Sequence, residues 1–167
     1  AEASAPTPSG VAFRQALRAD LEDRSQLDED IASAEAALLR EHGVSSSGEL
    51  PINFNGVRTR LADEHGYAIF DAHFGVLFDG YLQQEARYQR LGWVAPYLAW
   101  SAASSGLAGT DLRHFRHFID AAEEHRRMIQ DRMSEEMMRH PETDGVRYLA
   151  DARLWAQIPE FAYQPPR

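Results

Sequence analysis

The chain has 167 residues, 44% of them hydrophobic, a formal net charge of −9 and no cysteine. Its length suits a single domain with its own core, and its acidity disfavours binding to nucleic acid or adsorption to an anionic membrane surface. Thiol catalysis, disulfides and zinc–thiolate sites are excluded without a thiol, and no apolar run reaches the roughly 18 residues that a membrane-spanning helix needs.

The amino-terminal part predicts a flexible lead-in followed by a helix. We expect residues 1–10 to be a linker, residues 11–163 to form one helical domain, and residues 164–167 to be a second linker. Apolar residues recur at helical spacing from the start of the domain, although Arg24 interrupts the stripe. This pattern predicts one helix, half exposed near its middle, whose carboxyl end is capped by Gly43.

The second predicted helix is the most apolar. Residues 44–56, which precede it, predict a loop because serine, glycine, proline and asparagine are frequent there. Aromatic side chains then repeat every three or four residues. Gly66, Gly75 and Gly80 lie within this helix, at a cost of about 1 kcal/mol each relative to alanine. We expect them to allow the close approach of a neighbouring helix; a kink is the alternative.

Two further helices and a short one complete the predicted fold. Gly92 ends the apolar helix, and Pro96 suits the first turn of the next, which continues to about Leu107. A fourth long helix is predicted from Asp111 to about Met138, followed by a short carboxyl-terminal helix. Because no strand pattern competes, the sequence predicts an all-α fold: a helical bundle of about four main helices plus the short one.

The turn before the fourth helix has a distinctive order of residues. Gly109 permits the turn because it tolerates left-handed backbone angles. Thr110 or Asp111 can accept hydrogen bonds from the first amides of the new helix, and Asp111 also suits the positive end of its dipole. Further along this helix, Glu123 and Arg126 predict an ion pair that would fix the helix register if it is buried.

Seven histidines among many carboxylates raise the question of metal binding. Di-metal sites in bundles need two copies of a carboxylate followed three residues later by histidine. Asp111 with His114 gives one copy, and Asp111 is better explained as a cap. His114 and His117 could share a helix face, with His73 as a third ligand, but structural or surface histidines are commoner. We therefore assign no metal, cofactor or catalytic residue; residues 104–106 also lack the strand context of a nucleophile elbow.

Several short motifs are informative only when they are considered together. They occupy residues 51–56, 81–84, 95–99, 104–111, 122–126, 154–155 and 158–163. Together they resemble the extracytoplasmic domain of a bacterial ABC transporter permease family of the type-2 exporter class. The residues that define this structural signature are Asn53, Gly56, Gln84, Pro96, Gly109, Thr110, Asp111, His114, Glu123, Arg126 and Trp155.

The resemblance implies a function without catalysis. In such permeases this region is inserted between the first two membrane helices, on the periplasmic side of the bacterial inner membrane. An ATP-hydrolysing subunit would work with the membrane part, and the domain would dock a periplasmic protein, through Trp93, Tyr97 or Trp100, or shape the substrate exit. A homodimer is also expected. The alternatives are a ligand-sensing helical bundle, which ranks lower because prolines interrupt both ends, and then a metal-binding bundle.

Overall fold

A computed structural model describes residues 10–91, 95–141 and 148–165. The helices within them are α1 (Gly10–Glu22), α2 (Ser25–His42), α3 (Phe54–Leu91), α4 (Pro96–Leu107), α5 (Leu112–Arg139) and α6 (Ala152–Gln157). A short 3-10 turn at Ser47–Glu49 separates α2 from α3. The structure is 80% helical and has no strand in its described part. The prediction of an all-α helical bundle with a short carboxyl-terminal helix is confirmed.

The segment predicted to be one helix forms two helices, because helical structure is interrupted at Asp23 and Arg24. The carboxylate of Asp23 accepts hydrogen bonds from the amide of Ser25 at 3.2 Å and from its hydroxyl at 2.7 Å. Such a local turn competes with continued helix. The hydroxyl of Ser25 is also the main cause that lowers the pKa of Asp23. At the other end of α2, Gly43 adopts the predicted left-handed conformation, with φ of 66°.

The long helix α3 starts within the predicted loop and continues without interruption. Two of its glycines do not have the predicted role. A Cβ atom added at Gly66 or Gly75 would meet no described atom within 4 Å, so the prediction of close helix approach at these two positions is wrong. The helix continues from Phe54 to Leu91, and the alternative of a kink stays a prediction.

The later helices follow the prediction closely. Pro96 lies in the first turn of α4, where its missing amide hydrogen costs nothing. The side chain of Asp151 caps α6 by accepting hydrogen bonds from the amides of Arg153 at 2.9 Å and Leu154 at 3.0 Å. The predicted break at Gly92, the neighbouring Trp93, and residues 1–9, 166 and 167 of the predicted linkers lie outside the described residues.

The chain divides into two compact units, and α3 and α5 contribute to both. Unit 1 comprises Ala1–Arg18, Phe70–Glu124 and Ala162–Arg167, and unit 2 comprises Ala19–Ile69 and His125–Phe161. In unit 1, aromatic rings form a continuous series of contacts. Its members are Phe13, Phe70, Phe74, Phe78 and Phe115.

Unit 2 has an aliphatic core. Leu27 and Ile31 of α2 are buried against Leu50 and Phe54, the residues that lead into α3. These positions on α2 belong to the apolar stripe that predicted its helix. Within the described ranges, none of the helices combines the length and the apolar composition needed to cross a membrane.

Candidate functional site

Asn53 joins the start of α3 to the end of α5 within unit 2. Its side-chain oxygen accepts a hydrogen bond from the amide of Asn55 at 3.0 Å, which caps α3. Its backbone amide donates to the carbonyl of Met138, and its side-chain amide donates to the carbonyl of His140, both at 3.0 Å. Carbonyls at a helix end lack partners inside the helix. One buried residue, 3% exposed, thus satisfies groups on two helices; we call this contact the Asn53 joint.

Gly56 explains why the two helices can meet so closely at the Asn53 joint. A Cβ atom at this position would lie 2.7 Å from the backbone nitrogen of Met138 and 2.6 Å from its Cγ. Such distances are too short for any side chain, so α3 needs glycine here. The close approach that the sequence suggested for glycines further along α3 occurs at Gly56.

The turn between α4 and α5 has the geometry that the sequence predicted. Gly109 adopts a left-handed conformation, with φ of 65°. Its amide donates to the carbonyl of Gly106 at 3.2 Å, and the amide of Thr110 donates to the carbonyl of Ser105 at 2.9 Å. These two hydrogen bonds form a Schellman motif, which closes the carboxyl end of α4.

Asp111 begins α5 and positions His114. Its Oδ1 accepts a hydrogen bond from the amide of His114 at 2.9 Å and lies 2.6 Å from the Nδ1 of the same residue. Because a carboxylate is only an acceptor, Nδ1 carries the proton. These bonds lower the pKa of Asp111, the backbone one most. The carbonyl of His114 accepts a bond from the hydroxyl of Tyr163 at 3.3 Å, which ties the carboxyl-terminal segment to α5 in unit 1.

A polar network between α3 and α5 in unit 2 was not predicted from the sequence. Gln130 donates to Asp63 at 2.9 Å and accepts from the hydroxyl of Tyr67 at 3.2 Å. Arg126 also donates to Gln130. The guanidinium groups of Arg126 and Arg127 lie 5.4 and 4.7 Å from the centre of the Tyr67 ring, within the range of cation–π attraction. We call these five residues the Tyr67 network.

The Tyr67 network contains two acidic side chains whose pKa values are shifted, and such shifts can mark active sites. Burial raises the pKa of Asp63; Arg126 opposes this effect and Asp131 adds to it. Burial also raises the pKa of Tyr67, reinforced by Asp63 and Asp131. The amide group of Gln130 is hydrogen-bonded to both Asp63 and Tyr67. This arrangement links α3 to α5.

The other signature residues are dispersed. Gln84 is on the exposed surface of α3, where it donates to the hydroxyl of Tyr88 at 3.3 Å, and Trp155 is exposed on α6. Glu123 is half-buried on α5. Its ion pair with Arg126 stays a prediction. Among the described residues, no three histidines or carboxylates lie close enough together to hold a metal ion.

Three of the four most exposed large apolar residues in the described part of the chain are on α4. Tyr97, Trp100 and Leu107 are 78%, 75% and 92% exposed. Their spacing along the helix places these three residues on one side of α4. We call them the α4 face. Among the α4 residues whose burial is described, the half-buried positions within the helix hold small residues, such as Ala102 and Gly106. Helices of globular domains usually bury their large apolar residues, whereas Tyr97, Trp100 and Leu107 are exposed.

The sequence predicts the turn at Gly109 but not the Tyr67 network. Tyr67 is one of the aromatic residues whose three- or four-residue spacing predicts α3. One feature of the sequence points to the network: Asp63 lies four residues before Tyr67, and this spacing places its carboxylate next to Tyr67 on the surface of α3. The partner Gln130 lies more than sixty residues away along the chain, and no local pattern identifies it.

Comparison with known proteins places the chain in a family. The sequence profile of a family described as a domain of unknown function, DUF3526, matches residues 11–164. The match covers nearly the whole chain, and the chain therefore belongs to this family. No curated protein and no solved structure matches it.

Proposed function

We propose that this DUF3526 domain is a non-catalytic extracytoplasmic part of an ABC transporter permease, inserted between its first two membrane helices. It works by surface contact: it docks a partner or shapes the path by which substrate leaves. The resemblance of its motifs to permeases of the type-2 exporter class is the basis for the transporter assignment. A separate ATP-hydrolysing subunit would drive the complex.

The observation that carries the contact role is the α4 face. Exposing a tryptophan, a tyrosine and a leucine together is unfavourable in water, because burial of one such side chain is worth roughly 1.5–3 kcal/mol. Contiguous exposed apolar residues mark interaction sites. Small residues such as Ala102 and Gly106 occupy half-buried positions of α4, while Tyr97, Trp100 and Leu107 stay available for contact.

Four of the eleven signature residues support a structural purpose for the motifs. Asn53 and Gly56 hold α3 to α5, and Gly109 and Asp111 close one helix and open the next. Each residue type is explained by a backbone requirement at its position. A family motif built in this way preserves a scaffold, and the contact surface is then free to differ.

Purification of the full-length protein that carries this chain tests the transporter assignment. After mild solubilisation, we expect it to co-purify with a subunit containing a P-loop, in a complex that hydrolyses ATP. A matched sample in which that subunit's P-loop lysine is replaced by alanine should retain the complex and lose hydrolysis. A full-length protein that purifies without any ATP-binding subunit would contradict the assignment.

A further inference from the structure

The two compact units differ in how many of their side chains are buried. Nine residues in the described part of the chain are buried, and eight of them belong to unit 2. Those eight are Leu27, Ile31, Leu50, Asn53, Phe54, Gly56, Ser134 and Leu154. The one in unit 1 is Phe78, which is 7% exposed. Because burial of apolar side chains is the main source of folding stability, the described residues of unit 1 supply less of it than those of unit 2.

Exposed apolar side chains have the opposite distribution. The structure describes thirteen exposed large apolar residues, and nine of them lie in unit 1. They are found on each of the four helices that contribute to unit 1: α1, α3, α4 and α5. They include Val76 at 65% and Phe115 at 53% exposure. Much of the apolar surface of unit 1 is therefore already in water, and its folding gains correspondingly less from burial.

The long helices α3 and α5 are linked by buried and half-buried contacts within unit 2. At the Asn53 joint, the start of α3 is hydrogen-bonded to the end of α5 through a buried side chain. Gly56 lets the two helices approach closely beside this joint. Further along, Gln130 is hydrogen-bonded to Asp63 and Tyr67. Separating the helices here would leave several polar groups without their partners, which is costly away from water.

Within unit 1 the same two helices share contacts that are more exposed. Arg116 of α5 donates to Asp79 of α3 at 3.0 Å, and their side chains are 35% and 65% exposed. Such an ion pair contributes little to stability, because water screens the charges and two long side chains lose rotational freedom. The ring of Phe115 lies 6.3 Å from that of Phe78, but Phe115 is 53% exposed. Breaking these contacts costs less than breaking those of unit 2.

We propose that unit 1 unfolds locally, as one cooperative unit, while unit 2 stays folded. In this local unfolding, α3 from residue 70 onward and α5 up to residue 124 lose their helical hydrogen bonds together with α4. The parts of a protein that rearrange on binding are drawn from its least stable regions. The α4 face belongs to unit 1, so the surface that carries the contact role lies in the part of the chain that can rearrange. The proposal does not depend on the transporter assignment.

Hydrogen–deuterium exchange of single amides in the 167-residue chain tests the proposal, because it compares two parts of one helix. In α3, amides 73–88 should be at least about tenfold less protected than amides 58–69, and in α5, amides 116–124 should be at least about tenfold less protected than amides 125–136. Low concentrations of urea should accelerate exchange in both unit 1 segments with the same slope, since one unfolding event exposes them together. Equal protection along each helix would overturn the proposal, as would urea slopes that differ between the two segments.

A substitution at Phe78 provides an independent arm. Phe78→Ala removes the buried side chain of unit 1, so it should accelerate exchange of the unit 1 amides by at least about tenfold and leave unit 2 at its wild-type protection. The matched control, Val76→Ala, changes a residue of α3 that is 65% exposed; it should slow exchange or leave it unchanged, because alanine favours a helix. If Phe78→Ala accelerates exchange equally in both units, or leaves unit 1 unchanged, the proposal is refuted.

Discussion

Replacing Asn53 by alanine should be among the most destabilising single changes in unit 2. The variant loses the cap on α3, worth about 1 kcal/mol. It also loses the side-chain hydrogen bond to the carbonyl of His140, worth about 1 kcal/mol, and leaves that acceptor without its donor. The backbone bond from residue 53 to Met138 survives. We expect the free energy of unfolding to fall by about 2–3 kcal/mol.

A second substitution at the same position separates the two contributions. Asn53→Asp keeps an oxygen that can cap α3, and a negative charge suits a helix amino terminus. It replaces the amide donor by a carboxylate facing the carbonyl of His140, which removes the bond between the helices. We expect Asn53→Asp to lose the part of the stability that comes from the link to α5, about 1 kcal/mol or more.

Urea denaturation followed by circular dichroism measures both variants. The midpoint should decrease while the slope of the unfolding free energy with denaturant stays constant, because the folded structure is otherwise unchanged. A loss below about 0.5 kcal/mol for Asn53→Ala, in the range of ordinary surface substitutions, would refute the idea that Asn53 joins the two helices.

Three further predictions concern single residues. Gly56→Ala should destabilise by about 1–3 kcal/mol because its methyl group meets the backbone of Met138, whereas Gly66→Ala in the same helix should stabilise by about 1 kcal/mol; thermal melts that rank the two in the opposite order would contradict the packing. Because the pKa of Asp111 is lowered by folding, its charge stabilises the protein above the unfolded pKa of about 4, and this contribution is lost as the pH falls through the folded pKa. Asp111→Asn should therefore cost about 0.3–1 kcal/mol at neutral pH and nothing in acid, and a difference from wild type that is constant with pH would exclude this role. Tyr67→Phe should lose about 1 kcal/mol with its hydrogen bond while it keeps the arginine–ring contacts; unchanged stability in urea titrations would show that the hydroxyl is unimportant.

The sequence predicts the structure correctly where that structure depends on residues close together along the chain. The Schellman motif at Gly109 and the cap at Asp111 join residues within five positions of each other, and their chemistry is visible in residue order. The ends of α2, α4 and α5 follow from the same local rules. The break after α1 is also local, since Asp23 accepts hydrogen bonds from Ser25, but the interruption of the apolar stripe at Arg24 predicted only a half-exposed middle of one helix.

Contacts between distant segments could not be predicted. Asn53 and His140 are 87 residues apart, and nothing in either segment specifies the other. For the same reason, the need for glycine at Gly56 becomes visible only once Met138 is beside it. Gly66 and Gly75 show the converse, since their helix positions suggested close packing that no neighbour provides.

Cysteine accessibility in intact cells is the most direct test of an extracytoplasmic permease domain. The chain contributes no cysteine of its own, so single cysteines can be introduced into the full-length protein at exposed Ser46 and, as a matched control, at Ser134, which is 2% exposed. We predict that a maleimide unable to cross the inner membrane labels Ser46→Cys in intact cells, and labels Ser134→Cys only after denaturation. Labelling of Ser46→Cys that requires disruption of the inner membrane would place the domain on the cytoplasmic side and contradict the proposed function.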